Sequence, residues 1–206
     1  MPNWCYHNLV VQGDAENIRQ FKQTVASQEQ VFDFNNIIPM PKELEAATAH
    51  SDSPELIEAL KEDWNLKASD LFSQEAIDHA KQSLTNLLHY GAANWYDWCC
   101  SHWGTKWNAC ESYLHGEDNT SLTYSFNTAW CEPRPIFEEL LKRFPRLSFR
   151  IEFHEESDVK PLGDEDDDDC FWSEHWCCME SDALSEEEIQ AGAQRQWLES
   201  DYWTED

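Results

Sequence analysis

The feature that most constrains the fold is a segment of strict alternation between apolar and polar residues. Its apolar positions are Leu147, Phe149, Ile151 and Phe153, each separated from the next by one polar residue. Because successive side chains of a β-strand point to opposite faces, this pattern predicts a strand with one buried and one solvated side. Residues 121–128 alternate in the same way and predict a second half-buried strand.

The remaining signals place these strands in a definite order. Residues 5–12 predict a first strand, and Asp14 is positioned to cap a helix over residues 15–27. A third strand is predicted over residues 105–112. Pro133 and Pro135 then open a helix that runs to Phe144. The resulting order, βαββαβ, predicts an α+β protein of ferredoxin-like type, in which two helices cover one face of an antiparallel sheet.

Between the first helix and the third strand, the pattern becomes helical. We expect a helical insertion over about residues 42–90, with a first apolar stripe formed by Leu56, Ile57, Leu60 and Trp64. Ser73 is positioned to cap a second helix, and Gly91 to end it. Its expected apolar positions are Ile77, Ala80, Leu84, Leu87 and Leu88. Ahead of this insertion, Phe32 and Phe34 are expected in a short extended piece, followed by a rigid connector to Pro41.

The run from Trp103 to Asn108 follows a cluster of aromatic and cysteine residues and has two interpretations. In the first, Trp103 and Trp107 are core anchors on either side of Gly104, which lets the backbone approach closely. In the second, the run is a candidate ligand site. That site would consist of Thr105, Lys106 and Asn108 on the aromatic base of Trp103 and Trp107. Alternation from Lys106 onward predicts a strand in either case.

Four ordered motifs carry a resemblance to a known family. They are Met1–Val11, Phe32–Pro41, Trp103–Asn108 and Phe126–Trp130, the last followed by Pro133 and Pro135. Over about residues 1–156 the chain resembles the YubB-type ferredoxin-like family of plasmid and phage proteins. The resemblance implies a ferredoxin-like fold and a mobile-element origin, and it supplies no catalytic residue.

Net charge is the feature that most restricts the class of partner. The chain carries 14 basic and 41 acidic residues, a formal net charge of −27. Residues 157–206 contribute 2 basic and 17 acidic residues, hence −15. Such a surface repels nucleic acid directly and favours basic partners. We therefore expect a basic host protein, of the kind that binds nucleic acid, as the partner.

The C-terminal extension, residues 157–206, combines this acidity with aromatic side chains. Ser185 and Glu188 form a capping-box pattern, and Ile189, Ala193 and Trp197 are expected on one side of the helix that follows. Exposed aromatic residues among carboxylates are candidate hot spots for a partner. The predicted partner-binding residues are Asp164, Glu165, Asp166, Asp167, Asp168, Asp169, Trp172, Trp176, Glu186, Glu187, Glu188, Trp197 and Trp203, with Tyr202 beside them.

Cysteine and histidine residues cluster twice without a recognisable metal or catalytic pattern. One cluster is Cys99, Cys100 and His102, and the other is Cys170, His175, Cys177 and Cys178. Neither has the Cys-x2-Cys spacing of structural zinc sites, so we expect no metal and no cofactor. Pairings of Cys99 or Cys110 with His102 or His154 are weak nucleophile candidates, since chance pairs abound. We predict no catalytic residue and favour a non-enzymatic protein.

Sequence signals for membrane insertion or export are missing from the chain as given. No apolar run approaches the roughly 18 residues of a membrane span, and the first residues lack a basic and an apolar leader region. A cytoplasmic location is expected, where cysteines are usually reduced thiols.

These patterns together predict a binding protein that uses its acidic surface. Carboxylates placed where DNA phosphates would lie can occupy a protein that normally binds nucleic acid. We expect such a nucleic-acid mimic to inhibit a host defence system (CRISPR or restriction) or a DNA-processing factor. The alternative is a small-molecule or metal-dependent activity at Trp103–Asn108.

Overall fold

The computed structural model describes residues 3–45, 53–162 and 171–204, with only the backbone described at 161–162 and 171–172. The chain divides into two compact units: Met1–Pro39 with Trp103–Asp206, and Met40–His102. In chain order the elements are β1 (Trp4–Gln12), α1 (Ala15–Val25), α2 (Phe34–Ile37), α3 (Lys42–Glu45), α4 (Pro54–Glu62), α5 (Gln74–Tyr90), α6 (Trp95–His102), β2 (Cys110–Glu117), β3 (Ser121–Ala129), α7 (Arg134–Arg143), β4 (Ser148–Glu155), β5 (Val159–Leu162), β6 (Phe171–Ser181), α8 (Glu186–Gln190) and β7 (Leu198–Trp203).

The first unit contains an antiparallel sheet whose first four strands have the order β2-β3-β1-β4. With α1 following β1 and α7 following β3, these elements form the βαββαβ arrangement of a ferredoxin-like fold. This confirms the fold class predicted from the sequence.

Both helices pack on one face of this sheet. Asp14 caps α1 as predicted, with its carboxylate accepting hydrogen bonds from the backbone N–H groups of Glu16 and Asn17 at 3.0 Å. Phe21 of α1 lies 6.1 Å from Tyr124 of β3 between ring centroids, and Phe137 of α7 lies 6.5 Å from Phe126. The alternating residues of β1, β3 and β4 on this face are buried, and they include Cys5, His7, Leu9, Val11, Leu122, Tyr124, Phe126, Phe149, Ile151 and Phe153.

The C-terminal extension continues the same sheet. The 11-residue strand β6 pairs with β4 through its second half and with β5 through its first half. Residues 177–180 of β6 pair with β4 and with β7 at once, so β7 lies on the edge of β6 opposite β4. Trp197, just before β7, packs on Phe137 and Phe149 at centroid distances of 6.3 and 6.4 Å.

The second unit contains α3, α4, α5 and α6. Ser53 and Ser73 cap α4 and α5 through their hydroxyls, and Gly91 ends α5 with a positive φ of 73°. Leu56, Leu60, Ile77 and Ala80 form its buried cluster. The predictions for Trp64, Leu87 and Leu88 were wrong, because all three side chains are exposed; the buried positions late in α5 are Ser83 and Asn86.

Three local predictions were also wrong. Phe34 begins the short helix α2, capped by Asp33, so residues 32–34 are not all extended. The predicted strand over residues 105–112 starts only at Cys110. The helix expected to reach Trp197 ends at Gln190, since Gly192 adopts a φ of 71° that terminates it.

Within the described residues, no helix combines the length and apolarity that crossing a bilayer requires.

Candidate functional site

The candidate site is the C-terminal edge of the sheet, which we define by β5, β6 and β7. All six residues of β7 are exposed, and in the described part of the chain β7 pairs with β6 alone. A strand at the edge of a sheet presents unpaired backbone groups that another chain can join. Along β7, Glu199 and Asp201 bring negative charge, while Tyr202 and Trp203 bring aromatic surface.

His175 of β6 ties this edge together through two carboxylates. Its Nδ1 lies 2.6 Å from Asp158 Oδ2, and its Nε2 lies 3.1 Å from Asp201 Oδ2. These hydrogen bonds, that of Asp158 first, raise the pKa of His175 above its ordinary value. Each ring nitrogen lies within hydrogen-bond distance of a carboxylate, an arrangement that favours the protonated ring, in which both nitrogens donate. Through these two contacts, His175 of β6 links Asp158, just before β5, to Asp201 of β7.

Lys160 on this edge and Arg150 on the neighbouring strand β4 also contact groups of the same chain. The Lys160 ammonium lies 4.0 Å from the ring centroid of Trp203, a cation–π contact. On the opposite face of the sheet, the Arg150 guanidinium donates to both Glu152 and Glu180 at 2.7 Å. Asp201 and the Trp203 ring thus already contact basic side chains of this chain, as Glu199 does through Arg134, so a partner's lysine or arginine would share or displace these contacts.

A row of aromatic rings crosses the sheet face that the helices leave open. Tyr6 stacks on His154 with ring centroids 5.0 Å apart, and His154 lies 4.3 Å from Trp176. Trp176 pairs in register with Tyr202, so the row spans β1, β4, β6 and β7. The indole N–H of Trp176 donates to Glu174 at 3.0 Å. Trp176 and Tyr202 are predicted from the sequence as partner-binding residues. Tyr6 and His154 are not predictable in this way, because only strand pairing places them in this row.

The other predicted partner-binding residues are distributed differently. Asp164, Glu165, Asp166, Asp167, Asp168 and Asp169 lie outside the described residues, as does the side chain of Trp172. Glu186, Glu187 and Glu188 are exposed in the first turn of α8, where negative charge is favourable. Glu186 binds Arg146 at 2.6 Å, and Glu188 completes the capping box with Ser185. Trp203 is exposed, whereas Trp197 is half-buried against the core.

The Trp103–Asn108 run uses its polar groups within the protein. Trp103 is buried and donates from Nε1 to Ile38 O at 2.8 Å, and Thr105 donates to Ala129 O at 2.9 Å. Asn108 donates to Asp33 Oδ1 at 2.7 Å and accepts from the N–H of Phe34 at 2.8 Å.

The remaining members of this run are also engaged. The Lys106 ammonium lies 4.4 Å from the Trp107 ring centroid. Gly104 has a φ of 80°, and a Cβ there would lie 2.8 Å from Pro135 Cδ. This geometry favours the packing interpretation of the run over that of a ligand site.

Cysteine and histidine residues are arranged unfavourably for nucleophilic chemistry. Cys5 Sγ lies 3.6 Å from His7 Nε2, but burial raises the pKa of Cys5 and lowers that of His7 to about 3. Burial also raises the pKa of Cys99 to about 12 and that of Cys110 above its usual value. A protonated thiol is a poor nucleophile and metal ligand. Among the described residues, no three His, Cys, Asp or Glu side chains form a metal-binding group.

Comparison with known proteins identifies the class of domain. A family model described as "Ferredoxin-like domain in Api92-like protein" matches residues 102–170, which is 69 of the 206 residues. The crystal structure of a protein api92 from Yersinia pseudotuberculosis has a TM-score of 0.42 and 10% sequence identity; the similarity covers 86% of this chain and 94% of that chain. No curated protein matches. The matched third of the chain is therefore similar to the ferredoxin-like domain of Api92-like proteins. The resemblance to the YubB-type family is not tested by these comparisons and stays a prediction from the sequence motifs.

Proposed function

We propose that this protein is a non-enzymatic binding protein whose acidic C-terminal edge engages a basic partner. The observation that carries the proposal is the edge strand β7, whose six residues are all exposed and include Glu199, Asp201, Tyr202 and Trp203. A partner's extended segment can pair with the backbone of β7 while its Lys and Arg side chains meet carboxylates and ring faces.

The charge distribution of the chain supports this assignment. Within residues 3–45, 53–162 and 171–204, seven Lys and Arg residues lie in ion pairs with carboxylates: Arg19, Lys22, Lys61, Arg134, Lys142, Arg146 and Arg150. With 41 acidic residues, most carboxylates have no basic side chain available within the chain. Surplus negative charge accelerates association with a basic surface and discriminates against acidic ones.

The partner class follows from the same electrostatics. Basic surfaces large enough to match this charge are typical of proteins that bind nucleic acid. The protein then acts as a nucleic-acid mimic in the cytoplasm, where it inhibits a host defence system or a DNA-processing factor. A plasmid or phage origin, implied by the sequence motifs, fits this role because such elements meet those systems.

The test uses the immobilised full chain in a nuclease-treated bacterial extract, washed with increasing salt. We expect retained proteins to be basic nucleic-acid-binding proteins that duplex DNA or high salt releases. Truncation at residue 156 is unsuitable, because it removes Trp197 and β6, the strand that pairs with β4. Instead, Asp166–Asp169 are replaced by Asn in one variant, and Trp203→Ala is made in a second.

A matched control removes four charges from the second unit, through E55Q, E62Q, D63N and D70N. These four side chains are exposed, so the control variant changes net charge equally without altering the C-terminal edge. Retention that survives in the control and falls in both test variants supports the proposal. If the control and the charge variant lost retention of these proteins equally, or if duplex DNA did not release the retained proteins, the proposal of a specific nucleic-acid mimic would be refuted.

A further inference from the structure

A cavity of about 660 Å³ lies within the first unit, between α7 and residues 193–199. Its volume falls in the range of roughly 300–1,000 Å³ that is usual for small-molecule sites. Leu141, Leu184 and Trp197 contribute apolar surface to its wall, and Arg134, Lys142 and Arg195 contribute positive charge. The cavity adjoins β7 through Glu199, which lines it, whereas Asp201, Tyr202 and Trp203 of the exposed edge do not line it.

Three basic side chains around one cavity are unusual in a chain with only 14 basic residues against 41 acidic ones. Two of them already have acidic partners. Arg134 binds Glu199 at 2.6 Å and Glu132 at 3.3 Å, and the Lys142 ammonium lies 3.8 Å from Glu139. Arg195 differs from both.

Arg195 is held by neutral acceptors. Its Nε donates to Ser181 Oγ at 3.2 Å, one Nη to Ser181 O at 2.7 Å, and the other Nη to Phe144 O at 3.2 Å. A guanidinium has five N–H donors, so two remain after these three hydrogen bonds. Across residues 3–45, 53–162 and 171–204, no carboxylate forms an ion pair with it within 4.0 Å, and Asp182 acts on its charge only from a greater distance.

The protonated state of Arg195 is maintained at neutral pH despite its partial burial. Burial lowers the pKa of Arg195 to about 10, which is still well above neutrality. Removing a cation from water without a paired anion costs free energy. An anion bound beside this guanidinium would recover part of that cost.

We propose that this cavity binds a small organic monocarboxylic acid, with the carboxylate on Arg195 and the apolar part against Leu141, Leu184 and Trp197. A planar guanidinium with two remaining donors matches a carboxylate in geometry as well as charge. Glu138 and Glu199 also line the cavity, which disfavours ligands with several negative charges, such as nucleotides. The apolar wall favours an aliphatic chain or an aromatic ring over a fully polar metabolite.

The test is isothermal titration of the full chain with octanoate and with phenylacetate, each compared with its neutral amide. We expect the carboxylates to bind and to raise the melting temperature, while the amides bind at least about tenfold more weakly, since hydrogen bonds to a charged group are stronger than those to a neutral one. R195Q should lose the preference for the carboxylate. R19Q serves as the matched control, because Arg19 is exposed on α1 and pairs with Glu16.

A second variant avoids any effect of Arg195 on folding. Ala193→Trp fills the cavity from an exposed lining position and leaves the three hydrogen bonds of Arg195 intact. We expect it to fold with an unchanged melting temperature and to bind neither carboxylate. Equal binding of acid and amide, or retained acid binding in a folded A193W variant, would overturn the proposal. These outcomes are independent of the proposed partner, since the titration contains no protein ligand.

Discussion

The two halves of the sheet are held together by different kinds of contact. In β1, β3 and β4, alternate side chains are buried against α1 and α7, and many have no exposed surface. In the C-terminal half, β7 has no buried residue and depends on backbone pairing with β6 and on a few anchors. Regions with few buried apolar contacts open at lower free energy than the core. The surface proposed for binding therefore lies on the less stable half of one continuous sheet.

Trp197 is a large apolar anchor between the halves, beside the buried Met179 and Cys178 of β6, and its truncation should produce the largest effect. Trp197→Ala removes the ring contacts with Phe137 and Phe149, and we expect it to lower the free energy of unfolding by about 3 kcal/mol. Urea unfolding gives this value. Hydrogen exchange should show that the amides of β7 lose protection first.

Trp64→Ala is the matched control, because Trp64 is exposed on the second unit. We expect the control to change the unfolding free energy by no more than about 0.5 kcal/mol. If the two substitutions had equal effects, the C-terminal half would not depend on this anchor.

In the half of the sheet formed by β1, β3 and β4, we expect buried His7 to make the stability of the protein depend on pH. Its folded pKa of about 3 lies below the ordinary value of 6.5, because burial disfavours the imidazolium. The unfolded state then binds more protons between those values, so stability falls as pH decreases through this window. At about 1.4 kcal/mol per pH unit, the His7 contribution between pH 6.5 and pH 5 is about 2 kcal/mol.

His7→Phe isolates this contribution from the titration of the many carboxylates. The phenyl ring can keep the stacking with Phe126, which the imidazole makes at 4.7 Å. His7→Leu is measured beside it in case the larger ring does not fit. Chemical denaturation across this pH range should show a smaller loss of stability in the variants, and an identical slope in wild type and both variants would contradict the assignment.

In the C-terminal half, we expect His175 to make stability depend on pH more weakly than His7 does and with the opposite sign. Its pKa is raised by Asp158 and Asp201, so the stabilisation is present below pH 6.5 and is lost as pH rises through the folded pKa. Solvent screening limits the effect to less than about 1 kcal/mol. Amide exchange in β7 should accelerate as pH rises, after correction for intrinsic exchange rates.

His175→Gln keeps hydrogen-bonding capacity and removes the charge that titrates. We expect the pH dependence of β7 protection to disappear in this variant while the protection of β1 stays unchanged. Loss of protection in β1 as well would mean that the two halves open together.

Much of the fold was predictable because the core follows local rules. Alternation defined β3 and β4, and the capping residues Asp14, Ser73 and Gly91 defined helix ends. The prediction for Leu87 and Leu88 was wrong, because helical spacing identifies apolar residues on one face of a helix but does not show which of them pack against another element. Likewise, Gly192 was a visible stop signal, yet the spacing of Ile189, Ala193 and Trp197 suggested a continuing helix.

The candidate site was less predictable, since it depends on long-range pairing. His175 was assigned to a cysteine cluster, whereas its partners Asp158 and Asp201 lie 17 and 26 residues away in sequence. Arg195 is one of only two Lys or Arg residues after Ser157, the other being Lys160. The sequence shows that this cation is rare in its segment, but only the folded chain shows that its hydrogen-bond acceptors are neutral.

The hydrogen bond from Trp103 Nε1 to Ile38 O has an evolutionary consequence. It joins, at 2.8 Å, the two places where the first unit of the chain is interrupted by residues 40–102. A segment whose entry and exit points adjoin can be lengthened, shortened or replaced by recombination without disturbing the surrounding hydrogen-bond ladder. The ferredoxin-like framework is thus built to accept interchangeable inserts at this junction, and relatives are expected to vary most there.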